Sequence, residues 1–405
     1  MTWKKALKLA LLVILSATLV MAGLFIYRTV INPRAAFNNT PSTPVETSSE
    51  EPDVTPVASE GFSTDRVNIL LLGMDSNEQR LESEREDFRT DTMLLVSIDF
   101  SRKKVDMITV PRDSYVTVTR ATGSLYKVNS AAYFGGGMCD SGFRNACDTI
   151  SGVFGGIPVN YYVGVNMDGL RALVDAIGGV YYDVDVDTEY EGIKLTPGYQ
   201  YLDSQEVLTY CRVRKGIGTD IDRQERQQKM LVAIFKQLKS NGKIEDIPEI
   251  YQSLKDMIYT NLSFEQICAL ALFSQSFDGL DDIGRYVLKG EYHWAYDVYF
   301  YLIDQQAKAD LVKEVLGENI GIDTKHDLYF VMKDSPEDHS SSHGSDEEDQ
   351  DEPTSTPEKT EEPTGEPSSS VSPTETGTDE PTSTPSAEDS PVSTPDPTSA
   401  TSVTG

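Results

Sequence analysis

The stretch Cys211–Gln228, CRVRKGIGTDIDRQERQQ, gathers Arg212, Arg214, Lys215, Arg223 and Arg226 in a chain with 65 acidic and 35 basic residues. A guanidinium offers a planar fork of donors that grips phosphate or carboxylate oxygens in pairs, and it stays charged at physiological pH. So many of them in an acidic chain mark either an anion site or a surface network paired with neighbouring acids. Arg212 and Arg214 stand two apart, which on an extended segment puts both on one side. A helix over Asp222–Ser240 would set Arg223 and Gln227 four apart on one face of its first turns. A helix start is where unpaired N–H groups and the macrodipole favour an anion. Arg226 belongs on another face, paired with Asp222, and Lys215 falls in the preceding turn.

Further charged residues stand at the ends of short apolar runs. Asp75 follows VNILLLG (Val67–Gly73), Arg89 and Asp91 precede or open TMLLVSID (Thr92–Asp99), and Arg112 and Asp113 follow KVDMITVP (Lys104–Pro111). Such runs read as buried strands. If the first two are antiparallel neighbours, Asp75 and Asp91 meet at one sheet edge. They could then share a hard cation such as Mg²⁺, which takes oxygen ligands and keeps water or phosphate oxygens. Two turn or capping aspartates is the other reading. The acids of the intervening SNEQRLESERED read as a solvated loop, and Lys127 and Asn129 follow in YKVNSAAYFGG.

Other chemistries lack their residues. Of four histidines, His339 and His343 lie in a low-complexity tail, and His293 and His326 accompany no G-x-S-x-G or nucleophilic cysteine. Walker A and dinucleotide glycine patterns are absent, and no CxxC suggests structural zinc. The formal charge of −30 argues against a nucleic-acid partner. Cys139 and Cys147 flank CDSGFRNAC and could close a small disulfide loop, whereas Cys211 and Cys268 sit in apolar contexts and read as buried thiols.

The elements that must position these residues alternate. Ala146, Ile150 and Val153 follow helical spacing, YYVGV (Tyr161–Val165) reads as a strand, and MDGLRALVDAIGG as a helix ended by Gly178-Gly179. VYYDVDV alternates like a strand, and Asp203 and Glu206 have capping-box spacing. Helices are expected over Asp222–Ser240, Ile247–Met257, Phe264–Phe273 and Asp297–Val315. Mixed strands and helices through one core indicate an α/β fold or α-β-α sandwich.

The ends differ from this middle. LALLVILSATLVMAGLFIY (Leu9–Tyr27) runs 19 residues without a charge behind Lys4, Lys5 and Lys8. That length suits an uncleaved signal anchor with a cytoplasmic N-terminus and everything after Arg28 outside the cell; a cleaved signal peptide is the rival. The expected organisation is residues 1–31 as stub and anchor, 32–64 as a flexible stalk, 65–332 as the folded domain and 333–405 as a tail. After Lys333 the chain holds 19 acids against Lys359 and repeats EPT, STP and SPT, a composition that cannot offset chain entropy by burial.

Taken in order, NILLLGMDS, RTDTMLLVSID, ITVPRDSYV, KVNSAAYFGGG, YYVGVNMDGLRALVDAIGGV, LTPGYQYLDSQEVLTYCRVRK and DIDRQERQQ resemble the LytR-CpsA-Psr family of cell-envelope proteins, closely over residues 66–240. The resemblance implies a single extracytoplasmic α-β-α sandwich with a central mixed sheet and an apolar groove for a lipid tail, in a Gram-positive type of envelope. It implies transfer of a phosphorylated glycopolymer, of teichoic acid or capsular type, from a polyprenyl-pyrophosphate carrier to peptidoglycan. By motif, Asp75 and Asp91 would hold Mg²⁺. Arg89, Arg112, Arg212, Arg214, Arg223 and Gln227 would bind the pyrophosphate with Lys127 beside it, and Asp75 is the candidate to accept the acceptor's proton. Gly135–Gly137 would let the chain pass close to the ligand. The segment between Asp75 and Arg89 is longer and more acidic than the family often shows. The alternatives are a polyprenyl pyrophosphate phosphatase using water, and a non-catalytic envelope-related transcriptional attenuator.

Overall fold

The computed structural model describes residues 3–38, 66–74, 89–121, 126–213, 220–244, 246–277, 283–295 and 298–327. The chain divides into two units, Met1–His339 and Ser340–Gly405, and the second lies outside the described residues. A helix α1 (Trp3–Ile26) comes first. Strands β1 (Arg66–Met74), β2 (Thr90–Asp99) and β3 (Lys104–Thr109) lead to a short pair, β4 (Tyr115–Val116) and β5 (Tyr126–Lys127). Next come α2 (Ala131–Phe134), α3 (Asp140–Val153), β6 (Tyr161–Asn166) and α4 (Met167–Ile177). Strands β7 (Val180–Val184), β8 (Thr188–Tyr190), β9 (Ile193–Leu195) and β10 (Gly198–Leu202) precede α5 (Ser204–Arg212), α6 (Asp220–Ser240) and α7 (Ile247–Leu254). Strand β11 (Ile258–Thr260), α8 (Phe264–Ser274), strands β12 (Ile283–Val287), β13 (Gly290–Ala295) and β14 (Val298–Ile303), and α9 (Gln305–Val315) complete the described elements.

The apolar runs pair into one mixed sheet in the order β11-β6-β1-β2-β3-β12. β1 and β2 are antiparallel, as are β2 and β3, whereas β6 runs parallel to β1 and β12 parallel to β3. Both faces are covered, which is why the central strands are apolar at almost every position. One face packs Leu70, Leu72, Met93 and Leu95 against α3 and α9 through Phe143, Ile150, Val312 and Val315. The other turns Ile69, Leu71, Leu94 and Val96 towards α6 and α8. This is the expected α-β-α sandwich. A further cluster joins α4, α5 and α6 to β7 and β10 around Ile177, Leu202, Val207 and Tyr210.

Local signals explain most boundaries. Asp203 and Glu206 form the expected capping box of α5, and Gly178 ends α4 at φ +83°, where a side chain would clash with its own carbonyl.

Other expectations need correcting. Residues 297–315 are not one helix, because VYFYLI forms β14 and helix begins only after Asp304 caps α9. β-branched and aromatic residues favour that strand, which pairs with β13. Helix α6 starts two residues earlier than expected, and Arg212 is helical rather than extended, because α5 continues past Cys211. Cys139 and Cys147 are free thiols. They lie at the start and in the interior of one rigid helix, separated by a rise of roughly 12 Å, beyond the reach of a disulfide. Gly135 makes a close approach to α3, since a Cβ there would lie 2.7 Å from the Gly142 Cα.

The stalk does not begin at residue 32. Pro33–Phe37 form a 3₁₀ turn docked on α8, with Phe37 buried against Tyr161 and Phe100 and the Ala36 carbonyl accepting from Gln266 Nε2 at 3.1 Å. Residues 39–65 and 328–405 lie outside the described residues. The apolar run Leu9–Tyr27 falls almost wholly in α1, whose side chains are described only from Ile14 on. Among the described residues no helix is long and apolar enough to cross a membrane.

Candidate active site

The antiparallel register delivers charged residues to one edge of the sheet. Met74 and Thr90 are Cα partners while Gly73 pairs with Thr92, so Asp91 is the extra residue of a β-bulge. A bulge leaves one residue out of the ladder and re-aims its side chain. Asp91 thereby meets Arg112, whose Nη1 donates to Asp91 Oδ1 at 2.8 Å. Asp75 is the residue after Met74, so the chain leaves the sheet beside the point where Asp91 enters it. Asp75 itself, with Arg214 and Lys215, lies outside the described residues.

Arg112 follows β3 and stands among three carboxylates. Its Nε lies 3.4 Å from Asp113 Oδ2 and 3.9 Å from Asp220 Oδ2, in addition to the Asp91 bond. Burial alone would lower its pKa, but Asp220, Asp91 and Asp113 outweigh that and raise it above the ordinary arginine value. Its charge is permanent here. Lys127 Nζ lies 2.9 Å from Asp113 Oδ1, held there by the β4–β5 pairing that sets Lys127 opposite Tyr115. Asn129 donates its backbone N–H to the Arg112 carbonyl at 3.2 Å, which fixes this corner.

Helix α6 supplies the opposite wall. Asp220 in its first turn lies 2.6 Å from Nη2 of the buried Arg223 as an ion pair and accepts from Gln224 Nε2 at 2.8 Å. One carboxylate therefore links Arg112 and Arg223, residues far apart in the chain. Gln227 is a strut between elements: Thr92 Oγ1 donates to its Oε1 at 2.8 Å, and its Nε2 donates to the Cys211 carbonyl at 3.1 Å. Arg226 faces inward, donating to the Val213 carbonyl at 2.9 Å from a buried position. Gln228 ties the helix to β3 and β12 through Thr109 Oγ1 at 2.5 Å and the Tyr286 carbonyl at 2.9 Å.

Asp91, Arg112, Lys127, Arg223 and Gln227 are thus gathered at one end of the sheet. Arg212 has its guanidinium 4.9 Å over the Tyr190 ring and 3.9 Å from Glu191. Arg89 is exposed just before β2. Asp220 and Tyr292 were not expected here. Asp220 fell two residues before the expected helix start at Asp222, so its pairing with Arg223 was not legible. Tyr292 was hidden with the unread hairpin; its pKa is raised first by burial and then by Asp220 and Asp113, which places it in the field of this site.

Asp91 offers carboxylate oxygen at the edge where Asp75 follows β1, the donor type that Mg²⁺ takes. Among the described residues no group of three acids, cysteines or histidines could hold a metal, so such a site depends on Asp75. On the far side of α6 from its start, a cavity of about 330 Å³ is lined by Val163, Phe235, Leu238, Tyr251, Ile267 and Leu270 among others. Its wall is almost wholly apolar, and Phe235 stands eight residues, roughly 12 Å, along the helix from Gln227.

The LytR_cpsA_psr family model matches residues 34–316. The chain belongs to the LytR-CpsA-Psr family. It is 32% identical over 206 residues to the polyisoprenyl-teichoic acid–peptidoglycan teichoic acid transferase TagU of Enterococcus faecalis, covering 51% of this chain and 64% of that one. It is 27% identical over 252 residues to the TagU of Bacillus subtilis, covering 62% and 77%. The chain therefore spans just under two thirds of the Enterococcus relative. The crystal structure of B. subtilis TagV superposes with a TM-score of 0.53 at 25% identity, covering 62% of this chain and 96% of that one. The family match begins at residue 34, beside the docked Pro33–Phe37 turn, and ends just past α9.

Proposed function

We propose that this chain transfers a phosphate-linked glycopolymer of teichoic acid type from a polyprenyl-pyrophosphate carrier to peptidoglycan. The observation that carries the reading is Arg112 held among Asp91, Asp113 and Asp220 beside the start of α6, with an apolar cavity further along the same helix. A lipid diphosphate needs both features, permanent positive charge for its head and a greasy wall for its tail. The transferase names of the two TagU relatives support the same substrate class.

In this reading Arg112, Lys127 and Arg223 take the diphosphate, exchanging carboxylate partners for phosphate oxygens of the same geometry. Arg89, Arg212 and Arg214 are further candidates at the rim, and Gln227 keeps β2, α5 and α6 in register beneath. Mg²⁺, held by Asp75 and Asp91, would neutralise charge on the diphosphate. An acceptor sugar hydroxyl forms the new O–P bond as the bond to the polyprenyl phosphate breaks. Its proton passes to a carboxylate, for which Asp75 is the candidate. Rate comes mainly from positioning and charge stabilisation, as in other phosphoryl transfers. The reading also takes the uncharged run Leu9–Tyr27, whose first side chains lie outside the described residues, as a single-pass anchor, with the N-terminus cytoplasmic and the folded unit outside the cell.

The test uses the detergent-extracted full chain and a lipid-linked glycan. Arg112→Ala and Asp91→Ala should each lower Mg²⁺-dependent release of polyprenyl phosphate by about 100-fold or more. Release at the wild-type rate by both variants would sink catalysis at this site. Free phosphorylated glycan, with none on added peptidoglycan, would instead identify the phosphatase. Absence of both products from wild-type protein would favour the attenuator.

A further inference from the structure

The hairpin β13–β14 sets Trp294 opposite Tyr299 and Tyr292 opposite Tyr301. Alternate residues share a face, so all four rings stand on one side. Trp294 meets Tyr299 edge to face at 4.7 Å, and Tyr292 meets Tyr301 at 5.2 Å. Tyr301 is buried, with its hydroxyl donating to the Leu288 carbonyl at 2.9 Å. The other three are not: Tyr292, Trp294 and Tyr299 are 40%, 53% and 45% exposed. Large rings grouped in water gain little for the fold and mark a surface that binds something.

Two further observations say what. A cavity of about 740 Å³ lies between this hairpin, β12 and the first turns of α6, lined by Tyr292 and Tyr301 with Lys229, Arg285, Lys289 and Glu291. That volume is within the range of small-ligand sites, and rings with a few polar groups are their usual lining. Tyr292 also feels the charges of Asp220, Asp113 and Arg112, so the surface runs on into the arginine site.

The second observation is topological. β12 is one edge of the sheet, and β11 and β6, which line the apolar cavity, are at the other. The arginine site lies between, at the ends of β1, β2 and β3. In phosphoryl transfer the entering and leaving oxygens lie roughly in line on opposite sides of phosphorus. A lipid phosphate leaving towards the apolar cavity requires the acceptor to arrive from the hairpin side.

We propose that the β13–β14 hairpin is the acceptor subsite, its rings stacking on the C–H faces of pyranose units in a carboxylate-bearing glycan strand while Lys229, Arg285 and Lys289 meet the carboxylates. The proposal rests on the transferase reading. Aromatic rings suit a sugar because its axial C–H face is apolar while its hydroxyls point to the rim, where polar side chains reach them.

The chain has two tryptophans, Trp3 and Trp294. In the full-length Trp3→Phe protein in detergent, Trp294 is the sole indole emitter. Soluble peptidoglycan strands stripped of attached polymer should change its emission saturably. A second substitution, Tyr292→Ala or Tyr299→Ala, should weaken that binding about tenfold or more. Arg112→Ala should leave the binding curve in place while removing transfer. No saturable change, a change with teichoic acid polymer alone, or unweakened binding by both tyrosine variants overturns the subsite. Saturable binding by wild-type protein that releases no lipid phosphate overturns the transferase reading and keeps the subsite.

Discussion

Arg112 shows how much of a site one side chain can organise. It reaches Asp91 from β2, Asp113 beside it and Asp220 from α6, so three segments are tied by one guanidinium. The sequence marked Arg112, Asp91 and Arg223 because each stands at the end of an apolar run or helix, where side chains escape the core. It did not mark Asp220, because an acid on a helix surface is ordinary until a partner from elsewhere arrives. A different buried charge carries a test at this scale. Lys308 is almost fully buried, donating to the Val153 carbonyl at 2.6 Å, and burial pushes its pKa from 10.5 down to about 8 against the pull of Asp323 and Asp327. The unfolded chain therefore binds more protons than the folded one between those values, so this contribution to stability rises with pH there. It is present above 10.5 and lost as pH falls through about 8. The span amounts to about 3 kcal/mol at most. Melting wild type and Lys308→Met side by side from pH 7 to 10 cancels the other titrations, and wild type should gain on the variant across that range. A constant gap would remove Lys308 as the cause.

At the scale of elements, Gly142 lets α3 lie close against the YFGGG turn. A Cβ on Gly142 would lie 1.9 Å from the Gly137 carbonyl oxygen and 2.8 Å from that of Ala132, both backbone. Gly142→Ala must push α3 away from the α2 turn, and it should cost about 3 kcal/mol or more in urea unfolding; Gly152→Ala, in the same helix with open space where its Cβ would stand, serves as the tolerated control. Helix α3 was legible from its apolar spacing, α4 from spacing and its terminal glycines, and α5 from its capping box. The segment after residue 289 was not. Its strands are short and aromatic on both faces, and their pairing is with each other instead of the main sheet, so nothing in local periodicity separates them from a helix start. The tertiary pairing of Trp294 with Tyr299 decided the matter.

At the scale of the whole molecule, the folded unit begins earlier than composition suggests. Phe37 is 2% exposed and packs edge to face on Tyr161 at 5.3 Å. Phe37→Ala should cost about 3–5 kcal/mol, measured by chemical unfolding of the full chain; a loss within error would mean the turn is not part of the cooperative unit. A single phenylalanine beside a polar, proline-bearing stretch gave no periodic signal, so this docking could not be read in advance. The pairing of Met74 with Thr90 has one more implication. Those two residues sit side by side in the sheet, so closing a longer connection between them costs little more, about 0.6 kcal/mol per doubling. Evolution can therefore change the length of this connection by insertion or deletion without disturbing the floor on which the charges stand.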